Sequence, residues 1–277
     1  MIPFPCITAA AYVYVKGETV IEVINRLRLK GTLPPGKRVV CIGDSITLGV
    51  VSYNYVKILE DEFRAKGFSF INEGVNSECA YHVLQRMDRI ISYKPDYATV
   101  LIGTNDANSV LNRDMWKPSL KLLSLPEEPS LEFYRTCLRK IVRRLLEETE
   151  AAVALLSIPP IGEADDEARV ICRQFNEVVR EAAEDFEVDY LPVFESMLEY
   201  ISMASHTQAF SHELYPLLTG KAVFEKYIMR KSYDEIAEEN GLILHSDLLH
   251  LNSRGAGIIA DLIGEFLVRK SEASKQS

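Results

Sequence analysis

The sequence predicts an α/β domain built on a parallel sheet, and three observations carry that prediction. Short β-branched and aliphatic runs recur along the chain, and stretches with helical periodicity separate them. The runs are apolar throughout, so the strands they form need cover on both faces, which crossover helices supply. No internal repeat, low-complexity tract or Ser/Gly linker divides the chain, so one domain accounts for most of it.

The elements follow in order. Arg38 to Ile42 (RVVCI) reads as a strand ending at Gly43, and Val50 to Lys66 reads as a helix with Val56, Leu59 and Phe63 on one face. Later strands are expected at Phe68 to Asn72, Tyr97 to Ile102, Ala152 to Ser157 and Val188 to Val193. Helices are expected at Ala80 to Ser92, Leu131 to Glu148, Glu167 to Asp185 and Gly255 to Lys270. Two stretches interrupt the alternation and read as insertions walling a cleft: Ala107 to Ser130, and Ser196 to Leu244 with helices around Lys221 to Met229 and Tyr233 to Asn240. The domain plan is therefore an extension over 1–37, packed on or flanking the body, and a single domain over 38–277 with insertions at about 107–130 and 196–244.

Within the extension, Ile2 to Val15 carries no charge but is shorter than the roughly 20 residues of a spanning helix. Nothing basic precedes it and Lys16 follows it, the reverse of a secretory signal. Pro3 and Pro5 break an amphipathic helix at its start, so a docked segment is favoured over membrane contact through residues 2–15. Thr19 to Lys30 spaces Val20, Ile21, Val23, Ile24, Leu27 and Leu29 as a helix would, closed by Gly31 and the Pro34-Pro35-Gly36 turn.

Of the 277 residues, 47% are hydrophobic and 26% charged, which excludes disorder for most of the length. The balance of 31 basic against 40 acidic residues repels phosphate backbones, so nucleic acid is not an expected partner. Five cysteines (Cys6, Cys41, Cys79, Cys137 and Cys172) make an odd number with no CxxC pair. That excludes a disulfide framework and a zinc site and favours a reducing, cytoplasmic compartment.

Ligands of open parallel sheets sit at the carboxyl ends of the strands, and polar residues gather there. Gly43-Asp44-Ser45-Ile46-Thr47 puts a serine in a tight turn entering a helix, where free backbone N–H groups suit a nucleophile whose attack creates an oxyanion. The competing reading is that Asp44 or Ser45 caps the helix. Asn72-Glu73-Gly74-Val75-Asn76-Ser77 and Gly103-Thr104-Asn105-Asp106 follow the next two strands, and an asparagine amide there can donate to an oxyanion. Asp106 is read as a helix cap. Near the C-terminus, Asp247 and His250 are three residues apart in His245-Ser246-Asp247-Leu248-Leu249-His250-Leu251-Asn252. At that spacing Asp247 can fix the tautomer of His250 and leave its other nitrogen for Ser45, with His245 as a competing base.

These blocks together resemble the SGNH hydrolases, the GDSL esterase and lipase family, over Arg38 to about Lys270. The resemblance implies a flavodoxin-like three-layer α/β/α sandwich with a five-stranded parallel sheet and a serine-dependent, metal-free and cofactor-free hydrolysis of a carboxylic ester. It implies Ser45 as nucleophile, His250 as general base, Asp247 as its partner, and an oxyanion hole from Ser45, Asn105 and a backbone donor of the second block. The family generally has glycine where this chain has Ser77, with Gly74 as the alternative donor. Asp44, Gly103 and Trp116 are the expected substrate-binding residues, and Trp116, Phe210, Tyr215, Phe224 and Tyr227 are aromatic residues that form either an acyl pocket or core. The motifs leave ester, thioester and acetyl-sugar substrates open, as well as the oligomeric state. The alternative is a flavodoxin-like module binding a small molecule or phosphate at the Gly43 turn, but it has no use for the Asp247/His250 pair.

Overall fold

The structure, a computed structural model, describes residues 14–15, 18–19, 35–114, 125–204 and 210–276. Five strands, β1 (Lys37–Gly43), β2 (Phe68–Gly74), β3 (Tyr97–Leu101), β4 (Ala152–Leu156) and β5 (Asp189–Leu191), form one parallel sheet in the order β2-β1-β3-β4-β5. β1 is flanked on both sides, with Val40 opposite Ile71 of β2 and Ala98 of β3. This is the flavodoxin-like order, and the chain reverses direction across the sheet at β1.

Period-two alternation in the strands builds two apolar layers. Val40, Ile42, Ala98, Val100, Val153 and Leu155 face α3 (Ala80–Gln85), α4 (Met87–Ser92), α6 (Leu131–Glu148) and α7 (Asp166–Asp185). Val39, Cys41, Tyr97, Leu101, Ala154 and Leu156 face α2 (Tyr55–Phe63), α8 (Val193–Met203) and α11 (Ser253–Gln276). Each fully buried Val, Ile or Leu contributes roughly 1.5–3 kcal/mol. Two complete layers of them can therefore carry the buried carboxylates at the strand ends. Among the described residues, no helix is long and apolar enough to cross a membrane.

The expected elements shift where side chains impose other geometry. The helix expected from Val50 starts at Tyr55, capped by Asn54, whose Oδ1 accepts from Lys57 N at 2.9 Å. Residues 50–53 are drawn elsewhere, with Tyr53 N donating to Leu251 O at 2.8 Å. The helix expected over Ala80 to Ser92 is broken at Arg86, which has φ −110° and ψ 16°. The stretch read as a connection from Ala107 instead opens inside α5 (Thr104–Leu111), before which Gly103 adopts φ +127°. Pro216 starts α9 (Tyr215–Tyr227) earlier than expected, and α10 (Tyr233–Glu239) follows it. The helix expected over Thr19 to Lys30 lies outside the described residues, except Thr19. That residue belongs to a two-residue antiparallel pair, Tyr14–Val15 with Glu18–Thr19.

α9 and α10 close over the carboxyl end of the sheet. Leu218, Ala237 and Leu242 pack on Leu248, with Phe210 and Tyr215 against them, and the hydroxyls of Tyr227 and Tyr233 both donate to Val50 O. Phe224 and Tyr227 are about half exposed, so they are neither core nor an enclosed pocket wall. Trp116 lies outside the described residues.

Where β2 ends, a buried ion network holds the chain. Glu73 Oε2 accepts from Arg86 at 2.6 Å and Arg89 at 2.7 Å, and the Tyr93 hydroxyl donates to Oε1 at 2.7 Å. Arg86 also donates to Glu78 Oε2 at 2.7 Å, Glu73 O at 3.0 Å and Gly43 O at 3.2 Å, so one guanidinium joins the ends of β1 and β2. Its planar fork of donors suits this task. Removing one partner of a buried pair leaves a poorly compensated charge, so Arg86→Ala is expected to lower unfolding free energy by about 3 kcal/mol. Urea unfolding measures it, and a loss below about 0.5 kcal/mol, the range of an ordinary surface substitution, would contradict the role assigned to Arg86.

Candidate active site

β1 delivers Ser45 as the first residue of α1 (Ser45–Leu48). Asp44 caps this helix, its Oδ1 accepting from Ile46 N at 2.9 Å. The capping reading and a serine in a tight turn entering a helix are therefore both realised, by adjacent residues. Ser45 Oγ lies 2.9 Å from His250 Nε2, and His250 Nδ1 lies 2.8 Å from Asp247 Oδ2. All three side chains are buried, between 1% and 6% exposed.

The loop carrying Asp247 and His250 is shaped by its own hydrogen bonds. Asp247 Oδ1 accepts from His250 N at 2.7 Å and Leu249 N at 3.1 Å, so the carboxylate closes the turn with one oxygen and holds the imidazole with the other. Leu248 between them adopts φ +77°, a conformation costing a branched residue roughly 1–3 kcal/mol. Its complete burial against α9 and α10 holds it there. At the base, Ser246 N donates to His250 O at 2.7 Å, and Ser52 Oγ accepts from Leu251 N at 2.9 Å.

Burial alone would raise Asp247, but the charge of His250 and its hydrogen bonds hold the carboxyl below the ordinary range. Burial alone would lower His250, but Asp247, and then Asp44, raise it above the ordinary histidine value. An ionised Asp247 accepts the Nδ1 proton, which leaves the Nε2 lone pair facing the Ser45 hydroxyl.

The second and third blocks meet beside this chain of groups. Asn105 Nδ2 donates to Glu78 O at 2.9 Å, and Ser77 adopts φ +61°. The left-handed conformation that favours glycine is thus occupied by serine. Gly74, the alternative donor, has its N–H committed to Asn72 Oδ1 at 2.9 Å, and a Cβ there would fall 2.1 Å from Leu48 N. Its glycine serves close packing of β2 on α1. Asp106 is a cap, but of another helix: its Oδ2 accepts from Ala80 N at 3.0 Å, at the start of α3.

Two of the expected substrate-binding residues are buried. Asp44 is 1% exposed, with Oδ2 unpartnered among the described residues, and burial pushes it up to about 7. Asp106 is likewise pushed by burial to about 7. Gly103 is buried against Tyr134, whose Oη would lie 2.7 Å from a Cβ at that position and donates to Ile102 O at 2.9 Å. Gly103 therefore makes room for this tyrosine. His245, the competing base, is fully buried and paired through Nδ1 with Glu163 Oε1 at 3.1 Å. The four described cysteines, Cys41, Cys79, Cys137 and Cys172, are free and buried, and burial pushes Cys41 and Cys172 up to about 12. Among the described residues, no group of three or more His, Cys, Asp or Glu converges on a metal position. Sequence reading missed Arg86, Ser52 and Glu163. Only Glu163 had a signal, as a carboxylate closing the otherwise apolar Ile158-Pro159-Pro160-Ile161-Gly162 loop beyond β4.

Comparison with known proteins gives consistent results. Residues 41–258 match the GDSL-like lipase/acylhydrolase family. An acetylxylan esterase from Geobacillus stearothermophilus is 22% identical over 219 residues, covering 71% of this chain and 94% of that protein. A crystal structure of an acetylxylan esterase from the same organism superposes with a TM-score of 0.57 at 19% identity, covering 83% of this chain and 94% of that one. A lipase/acylhydrolase from Enterococcus faecalis superposes with a TM-score of 0.52 at 17% identity, covering 82% and 93%. The flavodoxin-like sheet and the match over most of the chain lead to one conclusion: this protein belongs to the GDSL-like lipase/acylhydrolase family, and it is a hydrolase acting on ester bonds.

Proposed function

We propose that Ser45, His250 and Asp247 hydrolyse a short-chain carboxylic ester through an acyl-enzyme. The observation that carries this reading is the continuous hydrogen-bonded chain from Ser45 Oγ through His250 to Asp247. His250 Nε2 takes the Ser45 proton as Oγ attacks the carbonyl, and the charged imidazole is stabilised by Asp247. The imidazolium returns the proton to the leaving alkoxide. Water, deprotonated by the same nitrogen, then attacks the acyl-serine and releases the acid.

The tetrahedral oxyanion is held by the N–H of Ser45, the N–H of Ser77 and the second Nδ2 hydrogen of Asn105, whose first is committed to Glu78. Asn105 is supported in this role by that fixed amide, and Ser77 by the commitment of the Gly74 N–H elsewhere. A phosphate-binding module is disfavoured, because it has no use for the Asp247/His250 pair held beside Ser45.

The similarity to acetylxylan esterases supports an acetyl group as the acyl portion. Across p-nitrophenyl acetate, butyrate and octanoate, kcat/KM is therefore expected to be highest for acetate. Ser45→Ala is expected to lose on the order of a thousandfold or more in kcat. A preference for octanoate would overturn the acyl assignment, and an undiminished Ser45→Ala rate would overturn the nucleophile.

The base must be unprotonated to act, so activity falls as pH drops through the His250 pKa. Because that value is raised, the acid limb of kcat/KM is expected above 6.5. Asp247→Asn removes the main influence that raises it and leaves burial with the smaller effect of Asp44, so the limb is expected to move to lower pH while kcat falls. A pH-rate profile measures both, and an unmoved limb would contradict the pairing.

A further inference from the structure

Glu163 lies seven residues beyond β4, outside the blocks that carry the chemistry. Its side chain is completely buried, yet it is an ionisable group in a loop, and such a group persists only if its surroundings satisfy it. They do so with an unusual convergence. Oε1 accepts from Leu244 N at 2.7 Å and His245 N at 2.9 Å, Oε2 accepts from Ile243 N at 2.8 Å, and His245 Nδ1 donates to Oε1 at 3.1 Å. Three successive backbone N–H groups and one imidazole thus point at a single carboxylate. Burial opposes ionisation here, but these donors hold the carboxyl down at about 2.

The donors all belong to the strand of chain that enters the catalytic loop. Beside them, Gly162 N donates to Leu248 O at 2.7 Å, and His245 bridges to Leu251 across the base of the loop. The loop is therefore gripped on two sides. Ser52 and Tyr53 hold Leu251 next to α1, and Glu163 and Gly162 hold residues 243–248 from the end of β4.

We infer that Glu163 is a positioning residue for the catalytic loop, with His245 as its side-chain donor, fixing where Asp247 and His250 stand relative to Ser45. This rests on the proposed roles of those three residues. Its carboxylate is held by Ile243, Leu244 and His245, so its effect passes through the backbone of residues 243–248. His245, which competes with His250 as a base on sequence grounds, is thereby assigned the supporting part.

The test uses the full chain with four proteins: wild type, Glu163→Gln, His245→Ala and His245→Asn. The asparagine amide can replace the Nδ1–H donor of the ring. The readouts are kcat and KM on p-nitrophenyl acetate, the rate of fluorophosphonate labelling at Ser45, the pH-rate profile and circular dichroism. A displacement near 1 Å in a catalytic group can cost on the order of a hundredfold. Glu163→Gln is accordingly expected to lower kcat and labelling at least about tenfold with KM little changed. The acid limb is expected to move to lower pH as Asp247 loosens from His250, and His245→Asn is expected to recover most of what His245→Ala loses. A folded Glu163→Gln that labels at the wild-type rate with an unmoved limb would overturn the inference. If Glu163→Gln does not fold, equal rates for the two His245 variants overturn it. Wild type left unlabelled at Ser45 overturns the serine-hydrolase reading itself, and this inference with it.

Discussion

Everything at this site depends on how one buried carboxylate divides its lone pairs. Asp247 uses Oδ1 to fold residues 247–250 into a turn and Oδ2 to hold the imidazole within that turn. The geometry of the loop and the tautomer of its histidine are thus set by the same group. The left-handed Leu248 that this turn requires is tolerated because α9 and α10 bury it. α9 and α10 therefore support the geometry of this loop while lying outside the sheet.

The buried carboxylates around the site separate by the donors each receives. Asp44 and Asp106 each accept one hydrogen bond from another residue's backbone, and burial pushes both to about 7. Glu163 accepts from three backbone N–H groups and an imidazole and is held at about 2. Burial raises all three, and the shifts end up opposite because hydrogen bonding to the charged form outweighs it only at Glu163. The low-lying carboxylate is a fixed charge that organises backbone. The two high-lying ones are helix caps that burial pushes up, and Asp44 stands next to Ser45.

Strand positions and the turn that joins Asp247 to His250 were legible in the sequence because they obey local rules. Unbroken apolar runs mark the strands, and a three-residue spacing puts Asp247 and His250 in one turn. Arg86 was not legible, since its partners Gly43, Glu73 and Glu78 are contacts made across the ends of two strands. The same holds for Asp106, whose cap target Ala80 is 26 residues away, and for Glu163, which reaches 82 residues along the chain to His245. The packing that requires glycine at Gly74 and Gly103 was not legible either, since it comes from Leu48 and Tyr134, which are distant in the chain. Ser77, where the resembled family generally has glycine, adopts the left-handed backbone that favours glycine.

The central claim is that Ser45 carries the acyl group between two half-reactions. Mixing the enzyme with excess p-nitrophenyl acetate, quenching in acid within the first turnovers and sequencing the peptides by mass spectrometry observes that intermediate directly. The account predicts a peptide heavier by one acetyl group, with the modification on Ser45 and absent from Ser45→Ala. Turnover with an unmodified Ser45 peptide, or with the acetyl group on His245 or a cysteine, would contradict it.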